Sequence, residues 1–242
     1  MIPLRVINLD RTPERLAAFA AQNPGLDFER FAAVDGATRP RAAWIADGLI
    51  TPDNIYSSGA IGCAASHVAL WRDCVAREQA CHVVEDDVIL RRDFRAMTEA
   101  LLQRTDWDVV YWTWNFNWPL EFWPADGLAP ALLQLDPQLI SEQYDAFAAA
   151  ATPSQLVRIG GGAGTGCYAI APGGAAKLLK LCLPIGAQPA KITVGNLRLD
   201  WDNTEIDVEA ARHFRDLRAF AALPPLAAAR NELATSTIRG PT

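Results

Sequence analysis

The sequence predicts an α/β fold: a single Rossmann-like domain with a mostly parallel central sheet. Three observations carry this. The runs Leu4–Leu9 and Cys81–Val84 are almost wholly apolar and β-branched, as strands buried on both faces are. Each leads into a polar turn, and helical patterns alternate with such strands along the chain. Finally, 242 residues, half of them hydrophobic and 21% charged, suffice for one sizeable core.

The elements follow in order. Leu4–Leu9 ends in Asn8, Asp10 and Arg11; Thr12 then suits a helix N-cap, Pro13 the first helical position, and Leu16, Phe19 and Ala20 an apolar face. Asp27–Val34 reads as a second strand closing at Asp35-Gly36, and Arg39–Leu49 as a short helix over the sheet edge. Ser57–Gln79 carries a helical stripe from Ile61 to Val75 and holds Cys63, Ser66 and His67 in its first half. A lone histidine on such a face is more often a satisfied core residue than a ligand. Phe94–Leu102 is a helix and Asp108–Trp112 a strand.

The texture then changes. Five of the eight tryptophans fall between Trp107 and Trp123, in a stretch that Pro119 and Pro124 break, so residues 112–124 read either as a strand with core aromatics or as an aromatic loop offering a platform for a sugar face. Residues 124–158 look like an insertion, partly helical. Ile159–Thr165 is glycine-rich but lacks a P-loop ending and precedes the strand Gly166–Ala171, so its glycines suit close backbone approach to a ligand. The helix Pro172–Leu183, an acidic segment Leu199–Glu209, a helix over Val208–Asp216, a last strand Leu217–Leu223 and a tail folding back over the site complete the chain.

Several function classes drop out. Net charge is −6 with scattered basic residues, so no nucleic acid is expected as partner. Five cysteines form no CxxC pair and no zinc spacing with the three histidines, and read as reduced thiols of a cytoplasmic protein. No signal-peptide core precedes the first strand, and no apolar run reaches ~18 residues. Any membrane-bound partner would be met peripherally, at the inner face of the membrane.

The chemistry centres on Cys81–Leu90, CHVVEDDVIL, where Glu85, Asp86 and Asp87 follow a buried strand. Three adjacent carboxylates at the carboxyl end of an α/β strand sit where such folds place ligands. They suit a divalent cation with open positions for substrate phosphates, or else a solvated turn.

These pieces together resemble glycosyltransferase family 25, the lipopolysaccharide-core and procollagen-galactosyl type transferases. The matching segments are VINLDRTPERL at Val6–Leu16, RFAAVDG at Arg30–Gly36, GAIGCAASHVALW at Gly59–Trp71, VVEDDVIL at Val83–Leu90, GTGCYAIAPGGAAKLL at Gly164–Leu179 and LPPLAAARNELATSTIR at Leu223–Arg239. The resemblance implies a GT-A-type fold, a UDP-sugar donor, Mn2+ or Mg2+, and inversion at the anomeric carbon. It assigns Glu85 and Asp87 to the metal, and Asn8, Asp10, Arg11, Arg15, Asp35, Ser66, His67 and Asp86 to the surroundings of the nucleotide. It favours Asp207 as catalytic base. Asp202 is the second candidate in a segment that also holds Asp200 and Glu205.

An inverting transfer needs a cation and arginine to neutralise the diphosphate leaving group, and a carboxylate to take the acceptor proton. The expected reaction moves a hexose, galactose or glucose, to a saccharide or glycolipid acceptor such as lipopolysaccharide core. The competing expectation is a non-catalytic glycan- or nucleotide-binding protein on a degenerate transferase fold.

Overall fold

A computed structural model describes residues 1–230. Of the tail from Pro224 to Thr242, expected to fold back over the site or fray, residues 231–242 lie outside the described residues, as does the end of the last family-like segment.

The chain begins β1 (Leu4–Asn8), α1 (Pro13–Gln22) and β2 (Glu29–Ala32), followed by a short helix α2 (Arg41–Ala46) and the long α3 (Ser58–Ala76). Ser57 caps α3 through its side chain, which accepts from Ala60 N–H. Then come β3 (Cys81–Glu85), β4 (Val88–Leu90), α4 (Phe94–Leu102), β5 (Val109–Tyr111), β6 (Leu120–Trp123) and β7 (Ala131–Leu133). Two short helices, α5 (Pro137–Ser141) and α6 (Tyr144–Ala149), precede β8 (Gln155–Gly161) and β9 (Cys167–Ile170). The remaining elements are α7 (Pro172–Cys182), β10 (Ala190–Val194), β11 (Leu197–Trp201), α8 (Ile206–Ala211), β12 (Ala219–Leu223) and β13 (Ala227–Ala229).

Nine strands form one sheet in the order β2-β1-β3-β9-β5-β12-β8-β6-β7. β1 pairs in parallel with β2 and β3, and β5 with β12, while the pairings made by β9, β8 and β7 are antiparallel. Six strands therefore run one way and three the other, so the sheet is mixed where a mostly parallel one is expected. The reversed β9 lies between β3 and β5 and splits the parallel sheet at its centre.

Successive side chains of the central strands bury on opposite faces. Val83 and Tyr111 join a core with Trp71 and Tyr168, whereas Val84, Val110 and Trp112 pack with Phe19 and Phe94 on the other side. Fully buried central strands are what the continuous apolar runs require.

Four local expectations need correction. Thr12 makes no side-chain cap to α1, because its hydroxyl donates to Leu9 O at 3.3 Å and accepts from Asn8 Nδ2, leaving Pro13 to set the helix start. The helix expected at Val208–Asp216 is α8 followed by a separate 3-10 turn at Phe214–Asp216. β12 is not the last strand, since β13 follows and pairs antiparallel with β4. The hairpin β10–β11 was not anticipated at all.

The aromatic loop is largely interior. Trp112, Trp114 and Phe116 are buried, and Trp112 donates through Nε1 to His82 Nδ1 at 3.0 Å. Trp123 lies between the guanidinium groups of Arg158 and Arg215, each 5.5 Å from its ring centre. Trp118 is half-buried and packs on Trp201, a partner far away in sequence, with ring centres 5.1 Å apart and planes tilted by 32°. The insertion builds β7 onto the sheet edge and adds α5 and α6.

Candidate active site

The carboxyl ends of β1 and β3, the loop after β2 and the first half of α3 enclose a cleft of about 580 Å³, open solvent included. Asn8, Arg11, Arg15, Asp35, Ser66, His67, Glu85 and Asp86 all line it, as does Cys63. Parallel β1 and β3 put Ile7 beside Glu85 in register, so the polar ends of both strands meet there.

Asn8 organises one wall. Its buried amide Nδ2 donates to Asp86 Oδ2 at 2.7 Å and to Thr12 O, while Oδ1 accepts from Arg30 Nε at 3.0 Å. Arg15 grips Asp86 through Nε at 2.8 Å and Nη2 at 2.5 Å, and reaches Asp87 at 3.6 Å. Asp86 is therefore engaged by protein donors on this side. Glu85 and Asp87 flank it, as alternating residues leaving a strand do.

Glu85 accepts from Thr165 Oγ1 at 2.8 Å, and its Oε1 lies 3.5 Å from His67 Nε2. Burial works against its ionisation, but His67, Thr165 and Arg15 outweigh burial and hold its carboxyl below the usual range. Asp87 goes the other way: burial, then repulsion from Glu85, pushes it up to about 7. Its Oδ1 is buried with no hydrogen-bond partner among the described residues. An orphaned carboxylate oxygen beside an ionised glutamate fits a hard divalent cation.

The imidazole is oriented from behind. Trp71 Nε1 donates to the fully buried Tyr168 hydroxyl, which lies 2.9 Å from His67 Nδ1. Having accepted from Trp71, the hydroxyl needs an acceptor for its own proton, and Nδ1 is the one in reach. His67 Nε2 faces Glu85 but is buried without a hydrogen-bond partner among the described residues, and His67, Cys63 and Glu85 offer ligand atoms within 4.8 Å of one another that could hold a cation. Sequence reasoning missed Thr165 and Tyr168. Both stand in the segment GTGCY, but only the pairing of β3 with β9 reveals what they touch.

Ser66 is spent on scaffolding: it accepts from Val34 N–H and donates to Gly62 O, tying the loop after β2 to α3. Asp35 caps the following 3-10 turn through Ala37 N–H and pairs with Arg11 at the cleft. Asp10 is not a lining residue; it is largely exposed and paired with Arg30.

Asp207 stands in the first turn of α8, buried, outside the lining of the cleft but close enough for Glu85 and His67 to act on its charge. Oδ2 accepts from Gly164 N–H at 2.8 Å and Oδ1 from Val208 N–H at 2.7 Å. Burial pushes its carboxyl up, against these hydrogen bonds. Asp202 is exposed just beyond β11 and is not a lining residue either. The glycines before β9 meet protein: an added Cβ at Gly164, which has φ +105°, would lie 2.3 Å from Asn115 N.

Residues 1–193 match the family profile described as Glycosyltransferase family 25 (LPS biosynthesis protein). That span contains every residue lining the cleft but ends before Asp202 and Asp207. The chain is also similar to the mouse (Mus musculus) protein named Inactive glycosyltransferase 25 family member 3, at 31% identity over 122 residues. The similarity takes in 44% of this chain and 21% of the mouse protein, so the chain spans about a fifth of that relative's length. With four of the six segments of the resemblance lining one cleft, the match over residues 1–193 places this chain in glycosyltransferase family 25.

Proposed function

We propose that this chain is a metal-dependent, inverting hexosyltransferase of GT-A type. It takes galactose or glucose from a UDP-sugar and adds it to a hydroxyl of a saccharide or glycolipid, such as lipopolysaccharide core, at the cytoplasmic face of a membrane. Among the described residues no helix is long and apolar enough to cross a membrane. The observation that carries the reading is the buried, unpartnered oxygen of Asp87, which feels the charge of Glu85 on the cleft wall.

In this reading Glu85 and Asp87 hold Mn2+ or Mg2+, which supplies Lewis acidity for the departing diphosphate. Arg11 sits half-exposed on the cleft wall, where exchanging Asp35 for phosphate oxygens costs little. Arg15 and Asn8 fix Asp86, so that the flanking carboxylates keep their spacing. Asp207, with its affinity for a proton raised by burial, takes the acceptor proton. The Trp118–Trp201 pair offers the acceptor sugar a stacking face.

The name of the mouse relative favours a second reading, a binding protein without transfer. Melting-temperature shifts with UDP-, GDP- and CMP-sugars, each with and without Mn2+, followed by donor-turnover assays, separate the two. Mn2+-dependent stabilisation by a UDP-sugar together with turnover supports transfer. Stabilisation without turnover favours binding alone, and turnover undiminished by excess EDTA ends the metal assignment.

A further inference from the structure

We propose a second metal site, formed by Cys182, Glu209 and His213 and suited to Zn2+. It stands apart from the cleft and does not depend on the reaction assigned there. Cys182 ends α7, Glu209 lies on α8, and His213 follows four residues later in the turn leaving that helix. Their sulfur, carboxylate oxygen and ring nitrogen lie within 4.8 Å of one another. His213 Nε2 is 3.3 Å from Glu209 Oε1. Nitrogen and oxygen ligands on one tetrahedral zinc, at about 2.0–2.1 Å from the ion, lie about 3.3 Å apart.

The surroundings point these atoms at a common centre. Glu209 Oε2 is occupied by Asn203 Nδ2 at 2.5 Å and Arg212 Nη1 at 2.7 Å, which leaves Oε1 for the cluster. Asn203 is itself anchored by the Tyr56 hydroxyl and by Gly186 O. His213 Nδ1 lies 3.8 Å from Asp216 Oδ2, beyond hydrogen-bond range but on the side where metal-bound histidines commonly find a carboxylate. Cys182 is buried, and its thiol is pushed up by burial and then by Glu209, so it stays protonated unless a cation compensates.

Binding would release that proton to solvent and leave thiolate and carboxylate to neutralise a divalent charge. Sulfur and imidazole select a borderline-soft ion, whereas the oxygen-only pair Glu85 and Asp87 suits a hard one. His213 is 15% exposed, which gives the ion a path in. The site would tie the end of α7 to α8, the helix that carries Asp207, and so hold that carboxylate in place.

The test loads the full-length, metal-stripped chain with Zn2+ or Co2+ alone. Tight binding of Zn2+ with a rise in Tm is expected, and the Co2+ form should show thiolate-to-cobalt charge-transfer absorption. That band should vanish in Cys182→Ser and persist in Cys63→Ser, whose sulfur lies in the cleft instead. Because position 182 is buried and its variant can fail to fold, His213→Gln provides a second arm at a part-exposed residue. It should weaken Zn2+ binding at least tenfold and abolish the Zn2+-induced rise in Tm. Absence of the band in wild type, its loss in Cys63→Ser with survival in Cys182→Ser, or unchanged Zn2+ affinity in His213→Gln would overturn the proposal.

Discussion

In the proposed reaction Asp207 is asked to serve architecture and chemistry together. Both of its oxygens accept backbone N–H groups, yet burial still raises its pKa. Asp207→Asn keeps the shape and one acceptor while removing the basicity. Donor and Mn2+ binding should survive, and transfer should fall by about 10²-fold or more; transfer within a few-fold of wild type would remove Asp207 from the mechanism. The tryptophans divide in a similar way. Trp114 is core, so Trp114→Ala should cost about 3–5 kcal/mol and lower Tm severely. Trp118→Ala should leave Tm nearly intact and raise acceptor KM several-fold, because a stacked ring contributes about 1 kcal/mol beyond burial. An unchanged acceptor KM would exclude Trp118 from the acceptor face. That division was not legible in sequence: Trp114 and Trp118 sit in the same Pro-broken loop, and only long-range packing sorts them.

At the scale of elements, the placing of the cleft depends on how closely α3 approaches the loop after β2. Gly36 and Gly62 face each other there: a Cβ on Gly62 would lie 2.5 Å from both Gly36 N and Val34 O. Neither contact atom is a flexible side-chain end, so Gly62→Ala must push the loop away. The expected cost is about 1–3 kcal/mol, with donor affinity lost as well because Asp35 and Ser66 line the same wall. Wild-type donor affinity in a folded Gly62→Ala protein would show that the loop does not shape the donor site. The local signals for β1, β3 and α3 were plain in the sequence, as continuous apolar runs in the strands and as helical period in α3, whereas the Thr12 cap expected for α1 does not form. The hairpin β10–β11, though unanticipated, carries a turn signal, since Gly195-Asn196 forms a two-residue turn with Gly195 at φ +59°. The acids of Leu199–Glu209 draw the reading toward a ligand segment, although Lys191, Arg198 and Asp200 alternate with apolar residues as a strand pair requires. The reversal of β9 had no local signature, because strand direction is settled by partners.

Across the whole molecule, stability should respond to acid through His82, buried at the start of β3 against Phe94 and Trp112. Burial, and then the charge of Arg95, lowers its pKa to about 3. Accepting the Trp112 N–H at Nδ1 also commits that nitrogen to its unprotonated form. Above pH ~6.5 the ring is neutral in folded and unfolded chains alike, so it contributes no pH dependence. Between that value and about 3 the unfolded chain binds a proton that the folded one refuses, so stability falls as pH falls. The slope approaches about 1.4 kcal/mol per pH unit. Asp87 acts in the opposite sense, because its carboxyl, raised to about 7, takes up a proton in the folded state first. The wild-type curve alone therefore mixes the two. His82→Asn keeps an acceptor for Trp112 and cannot titrate, so the difference between the two proteins isolates the histidine. The variant should be less stable at pH 7, from lost packing, but should lose less stability than wild type on acidification from pH 6.5 to 4.5. Parallel curves across that interval would mean that the folded protein protonates His82 as readily as the unfolded chain does, and that the cost of a charge between Trp112 and Phe94 is relieved by solvent reaching the ring.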